Sequence, residues 1–273
     1  MRTSFALLLS LSLPLSLSLV TGCDDEPDDA VVETPTDGIE GPETPLAPSN
    51  AETQRLMAEH FIKANEARQA LIGDDLDGAR TAMTWLADNN PGGESLPDIV
   101  QGFLTQMRAN AGTFGDASTL TEASIAFAQT AQQCGECHAA VENGPSFTAP
   151  PMPEGESLPA QMHRHAWAAD RMWEGLITQD DALFQRGAGI LEEVNLSPEE
   201  LPHGVLEPET VTSLITHIQE LGQEAEDAED WDTRANLYGR FIATCSTCHR
   251  AMGVGAFARQ VMEQGTNTPT AAE

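Results

Sequence analysis

Apolar residues recur every three or four positions along most of the chain after residue 50, and this pattern occurs twice. The first such seam runs from Met57 to Leu71, and the second begins 105 positions later and runs from Met162 to Leu176. Steps of three and four residues place side chains on one face of an α-helix, so each seam predicts an amphipathic helix. The seam residues are Met57, His60, Ala64, Ala67 and Leu71 in the first copy, and Met162, His165, Ala169, Met172 and Leu176 in the second.

Three further helices follow each seam, and they repeat as well. The second helix keeps the offset of 105 positions, whereas the third and fourth repeat at an offset of 111. The added residues fall in the loop before the third helix, where insertions into repeated units are tolerated. Short connections between helices favour antiparallel neighbours. The sequence therefore predicts an all-α fold of two tandem antiparallel four-helix bundles.

The first 50 residues do not share this pattern. A mostly apolar run from Phe5 to Val20 is short for a membrane span and indicates an export signal. Small residues precede Cys23, as in the lipobox of bacterial lipoproteins, where that cysteine is lipidated; the alternative is a plain thiol behind an ordinary signal sequence. Residues 24–50 contain nine Asp or Glu, five Pro and no Lys or Arg, which predicts a disordered tether.

Together these features divide the chain into six predicted segments. Gly and Pro pairs at 144–145 and 150–151 interrupt the helical pattern and mark the linker between the bundles. The predicted segments are a signal peptide at 1–22, a lipidated cysteine with an acidic tether at 23–50, the first bundle at 51–142, the linker at 143–158, the second bundle at 159–253 and a C-terminal tail at 254–273.

The net charge of the chain limits the kinds of molecule that it can bind. The 273 residues carry a formal net charge of −30 at pH 7. This charge argues against binding to nucleic acid or an anionic bilayer through a basic patch. It favours solubility and partners with basic docking surfaces.

A Cys-x-x-Cys-His motif lies in the fourth predicted helix of each unit. In this pattern the two thiols form thioether bonds to one haem, and the adjacent imidazole becomes an axial iron ligand. Two motifs predict two covalent haem c groups, and lipidation of Cys23 would account for the fifth cysteine. The residues are Cys134, Cys137 and His138 in the first motif, and Cys245, Cys248 and His249 in the second.

Other uses of paired cysteines fit less well. Zinc ribbons place their Cys-x-x-Cys pairs within about 20 residues of each other. Here Cys137 and Cys245 are over a hundred residues apart, and each pair has its own histidine. A thioredoxin-like dithiol site would need strands alternating with helices around the motif, and no β-rich run flanks either one.

The first and fourth helices of an antiparallel bundle can be neighbours, so the start of one lies near the end of the other. His60 and His165 would then face the haem of their own unit, and we predict them as sixth iron ligands. Two alternatives remain. Met57 and Met162 share the same helical faces and could bind iron instead, or the histidines could be packed core residues.

In motif position, unit length and helix order, residues 51–142 and 159–253 resemble the class II cytochromes c, namely cytochrome c′ and its low-spin relatives. The resemblance implies a four-helix bundle around each haem, attachment at both cysteine pairs, and His138 and His249 as proximal ligands. The distal position departs from the family, which usually has Met or an apolar residue there. A His there argues against an open site for gas binding.

The leading functional hypothesis is a membrane-tethered electron carrier of the bacterial envelope rather than an enzyme. A carrier needs a buried, fully ligated iron, and nothing in the sequence resembles a substrate pocket. One alternative is a nitric oxide or carbon monoxide sensor with an open iron. The other is a dihaem peroxidase, whose family carries the haem motif early in each domain, whereas both motifs come late here.

Overall fold

The computed structural model describes residues 51–90, 96–201 and 206–265, without the side chains at 51–53, 200 and 263–265. The predicted signal peptide, Cys23 and the tether lie outside the described residues. Within the described residues the chain forms nine α-helices and no strand, which confirms the all-α prediction. The helices are α1 (Ala51–Ile72), α2 (Leu76–Asp88), α3 (Asp98–Thr113), α4 (Leu120–Val141), α5 (Leu158–Thr178), α6 (Asp181–Glu192), α7 (Pro208–Asp227), α8 (Trp231–Met252) and α9 (Gly255–Gly265).

Side chains at the helix starts explain several of these bounds. Thr119 and Glu122 form a capping box at the start of α4, in which each side chain bonds to the backbone N–H of the other residue. Asp230 accepts from the backbone N–H of Thr233 at 2.8 Å and caps α8. Such bonds satisfy N–H groups that have no partner inside the helix. The two helices that carry the cysteine motifs therefore begin at well-defined residues.

Helices α1 to α4 belong to the first sequence repeat and α5 to α8 to the second. Within each repeat, consecutive helices pack against one another. The last helices of the repeats, α4 and α8, pack extensively on each other, and α4 also packs on α5. Contact between the first and last helix of the same repeat is light. The first and last helices of each repeat thus touch, as predicted. However, α4 and α8 pack far more extensively on each other, across the boundary between the repeats.

A close backbone approach explains this packing. A Cβ atom added at Gly239 of α8 would lie 2.6 Å from the Cα of Ile125 in α4. Only a residue without a side chain allows the two helices to meet at this distance. The seam alanines add little bulk, and Ala67, Leu71 and Leu176 are fully buried. Small residues therefore bring the two repeats together around a shared core.

The predicted C-terminal tail begins with a ninth helix. Helix α9 contacts α1, α5 and α8, so it touches both repeats. Arg259 donates from Nη1 to Oδ2 of Asp75 at 2.7 Å and ties α9 to the start of α2. Residues 266–273 of the predicted tail lie outside the described part.

Candidate functional site

The first cysteine motif occupies the last two turns of α4. Cys134 and Cys137 are three residues apart, so their thiols lie on one face of the helix. The Cys134 thiol donates to the carbonyl of Thr130 at 3.4 Å. Burial raises the pKa of Cys134 to about 12 and that of Cys137 to about 11, so both are neutral thiols at pH 7.

An apolar cluster surrounds these two thiols. It combines side chains from α1, from α3 and the residues before it, and from α4 itself, and Cys134 also packs against the main core. Such a wall suits a large apolar ring and excludes water from it. The cluster contains Met57, Leu96, Val100, Phe103, Leu104, Met107, Cys134, Cys137 and Val141.

The second motif lies at the equivalent place near the end of α8. Cys245 packs against the main apolar core, and the Cys248 thiol lies 3.7 Å from the sulfur of Met252. Burial raises the pKa of both thiols. None of the four cysteines in the described part forms a disulfide.

The two motif histidines share one hydrogen-bonding arrangement. The Nδ1 atom of His138 lies 2.8 Å from the carbonyl oxygen of Ile177, and Nδ1 of His249 lies 2.8 Å from that of Ile72. A carbonyl only accepts, so Nδ1 carries the proton in both rings and Nε2 keeps its lone pair. Burial lowers the pKa of both histidines, which favours this neutral form. Both rings therefore have the tautomer that binds a metal through Nε2.

His165 lies close to His249 in the second repeat. Burial, followed by the nearby His249 and Arg164, lowers the pKa of His165 to about 4. The ring is therefore neutral at pH 7. It also lines a polar cavity of about 520 Å³ together with Arg164, Gln161 and Glu193. His165 is thus a neutral imidazole near enough to His249 for the charges of the two rings to interact.

His60 has different surroundings in the first repeat. Its Nδ1 lies 2.9 Å from the carbonyl oxygen of Leu56, and its Nε2 lies 3.3 Å from that of Asn89. The ring is 7 % exposed and packs edge-on against Trp85. Met57 instead contributes to the apolar cluster that contains Cys134 and Cys137. The two repeats therefore differ at the predicted sixth-ligand position.

The described residues fit a covalently attached haem at both motifs. The two neutral thiols of each pair lie about one helical turn apart on the same helix face, so both can reach one haem. Each adjacent imidazole has a free Nε2. Residue type does not identify the carbonyls of Ile72 and Ile177 as acceptors, because every residue has a backbone carbonyl. Their shared offset of 105 positions was the one available signal.

In the part of the chain that the structure covers, no three His, Cys, Asp or Glu side chains converge as a metal-binding group. None of the described helices combines the length and apolar character needed to cross a bilayer. Comparison with known protein families, with curated proteins and with solved structures finds no match to this chain.

Proposed function

We propose that this protein is a dihaem c-type cytochrome that carries electrons in the bacterial cell envelope. The observation that supports this most strongly is the equivalence of the two Cys-x-x-Cys-His motifs. Both lie near the end of the last helix of a repeat, with two free thiols that are buried or half-buried and a histidine whose Nδ1 is bonded to a carbonyl. Two haem sites, each with its own histidine ligand, suit the passing of single electrons between redox partners.

In this proposal the two sequence repeats are tandem four-helix units, each holding one haem c. Cys134 and Cys137 attach the first haem and His138 binds its iron, while Cys245, Cys248 and His249 do the same for the second. His60 and His165 supply the sixth ligands. A bound haem c provides reversible one-electron chemistry, and the surrounding side chains exclude water and fix the ligands.

The same proposal assigns a location and partners. The export signal and lipidated Cys23 would anchor the protein on the periplasmic side of the envelope, with the acidic tether holding the folded part clear of the membrane. A net charge of −30 would steer it towards redox proteins with basic docking surfaces. The same charge disfavours nucleic acid as a partner.

One observation favours a second candidate function at the first site alone. Both ring nitrogens of His60 lie within hydrogen-bonding distance of carbonyl oxygens, one from Leu56 and one from Asn89. If Nε2 of His60 keeps its contact with the carbonyl of Asn89 and Met57 does not bind the iron, the first iron would have an open position. The first repeat would then bind carbon monoxide or nitric oxide, while the second would remain a fully ligated electron carrier.

Intact-mass analysis of the full chain tests the proposal. The chain is expressed in a host with a haem c maturation system, and the mature protein should gain the mass of two haems. The double variant Cys134→Ala/Cys137→Ala should lose one haem, and Cys245→Ala/Cys248→Ala should lose the other. Wild-type protein with one haem or none contradicts the proposal. Adding carbon monoxide to the reduced protein separates the two candidates, since only an open site changes its visible spectrum.

A further inference from the structure

The two motif histidines are bonded across the repeats. His138 belongs to the first repeat, and the carbonyl it contacts belongs to Ile177 of the second; His249 belongs to the second, and its carbonyl belongs to Ile72 of the first. Ile72 and Ile177 are separated by the offset of 105 that relates the first helices of the two repeats. The two contacts are therefore equivalent, and each repeat provides one acceptor for the other.

The position of these carbonyls in their helices explains why they are available. Helix α1 ends at Ile72 and α5 ends at Thr178, and the last carbonyls of a helix lack partners within it. The backbone N–H of Asp74 bonds to the carbonyl of Leu71 at 3.1 Å, which leaves the carbonyl of Ile72 for His249.

The chain turns in the same way after both helices. Asp74 and Gln179 occupy equivalent positions and both have left-handed backbone angles, with φ of 59° and 53°. A residue other than glycine seldom adopts this conformation, and it is often retained at functional sites. The cysteine motif of the other repeat lies beside this turn, next to the carbonyl that its histidine contacts.

The motifs rest closely on these turns. A Cβ atom added at Gly135, inside the first motif, would lie 2.1 Å from the carbonyl oxygen of Leu176. The equivalent residue of the second motif is Ser246, whose hydroxyl lies 3.3 Å from Oδ1 of Asp74. Each Cys-x-x-Cys segment is thus in contact with the end of the opposite repeat's first helix.

We propose that the end of each first helix positions the iron-binding histidine of the other repeat. The acceptor carbonyl fixes the ring orientation and the tautomer. A hydrogen bond from Nδ1 to an acceptor also makes the imidazole a more basic ligand, and a helix carboxyl end favours positive charge nearby. Both effects stabilise the oxidised form of the site and lower its reduction potential. This inference rests on the proposed function.

Gly135→Ala provides the test in the holoprotein. The added methyl group must push α4 away from the carbonyl of Leu176, which lengthens the bond between His138 and Ile177. We expect the reduction potential of the first haem to rise and its electron paramagnetic resonance signal to shift, while the second stays unchanged. Gly112→Ala is the matched control, because a Cβ atom there meets nothing within 4 Å. The variants His138→Ala and His249→Ala each remove the ligand of one iron, so they show which electron paramagnetic resonance signal belongs to which haem.

A second variant keeps the test decisive if Gly135→Ala does not fold. Asp74→Gly retains the left-handed turn but removes the carboxylate that contacts Ser246 and Arg250. It lies in the first repeat, yet we expect it to shift the signal of the second haem only. If it alters the first haem, or neither variant alters either haem, the inference is wrong. A chain that binds no haem in the mass measurement would instead contradict the proposed function, so the two failures are distinguishable.

Discussion

Arg68 of α1 and Asp170 of α5 form an ion pair at 2.8 Å across the boundary between the two repeats. Their side chains are 1 % and 9 % exposed, so water screens neither charge. Burial raises the pKa of Asp170, although the adjacent Arg68 opposes the shift. Arg68 also lies over the ring of Trp173. The interface between the repeats therefore contains a buried ion pair, and its charges must remain balanced.

Replacing Arg68 with Met should destabilise the protein strongly. The change leaves the Asp170 carboxyl buried without its partner, and breaking a buried pair in this way costs about 3–5 kcal/mol. Urea unfolding of the variant and wild-type holoproteins measures the difference in their free energies of unfolding. Arg55→Met is the control, because its pair with Glu59 is exposed on the surface of α1 and is worth less than about 1 kcal/mol. Equal losses in both variants would show that Asp170 does not depend on Arg68.

His165→Ala should open the second haem site. If His165 is the sixth ligand, its loss converts that site to a high-spin or carbon monoxide-binding form, visible in the absorption spectrum. The first haem should keep its spectrum. His163→Ala is the matched control, since His163 lies on the same helix two residues away and is exposed. An unchanged spectrum in His165→Ala would remove this residue as a ligand.

The corresponding variant in the first repeat distinguishes His60 from Met57. To bind iron, Nε2 of His60 must exchange the carbonyl of Asn89, 3.3 Å away, for the metal. Met57 already packs with the cysteines of the first motif. We expect His60→Ala to change the spin state of the first haem. If Met57→Ala changes it and His60→Ala does not, methionine is the ligand.

Cys23→Ser should release the protein from the membrane. The prediction rests on the small residues before Cys23 and on the acidic segment after it, both outside the described residues. Wild-type protein should fractionate with membranes, and the variant should appear in the soluble envelope fraction with both haems attached. Equal distribution of the two proteins would contradict lipidation.

The contact of Asp75 with α9 should make stability depend on pH. The backbone N–H of Gly78, together with Arg259, lowers the pKa of Asp75 because both favour its charged form. The carboxylate therefore stabilises the fold at pH values above the unfolded-state pKa of about 4, and this contribution is lost as pH falls through the lower pKa of the folded state. Asp75→Asn should be destabilised at pH 7 and approach wild type in strong acid.

Urea unfolding at neutral and at acidic pH gives the difference in unfolding free energy between Asp75→Asn and wild type at each pH. The loss at pH 7 should stay below about 1 kcal/mol, because both partners are partly exposed and Asn can still cap α2. Asp77→Asn is the control, since its side chain is almost fully exposed beside Arg80. A loss for Asp75→Asn that does not shrink in acid would show that the charge of Asp75 is not its source.

The sequence by itself determined the helical fold, because steps of three and four residues identify the buried face of a helix. The seam residues Ala67, Leu71 and Leu176 are buried in the structure, as that pattern predicts. It also located both cysteine motifs near the ends of equivalent helices. Both results depend on residues close together in the chain, and local spacing records them directly.

Only the tertiary structure decided which surfaces cover these faces. Periodicity shows that a face is apolar but does not identify its partner, so the packing of α4 on α8 and the approach of Gly239 to Ile125 could not be predicted. The helical spacing predicts an inward His60, which is buried, yet the carbonyl of Asn89 that it meets comes from a loop with no periodic signal. The contacts of His138 and His249 use backbone carbonyls of the opposite repeat, whose position depends on where two helices end in space.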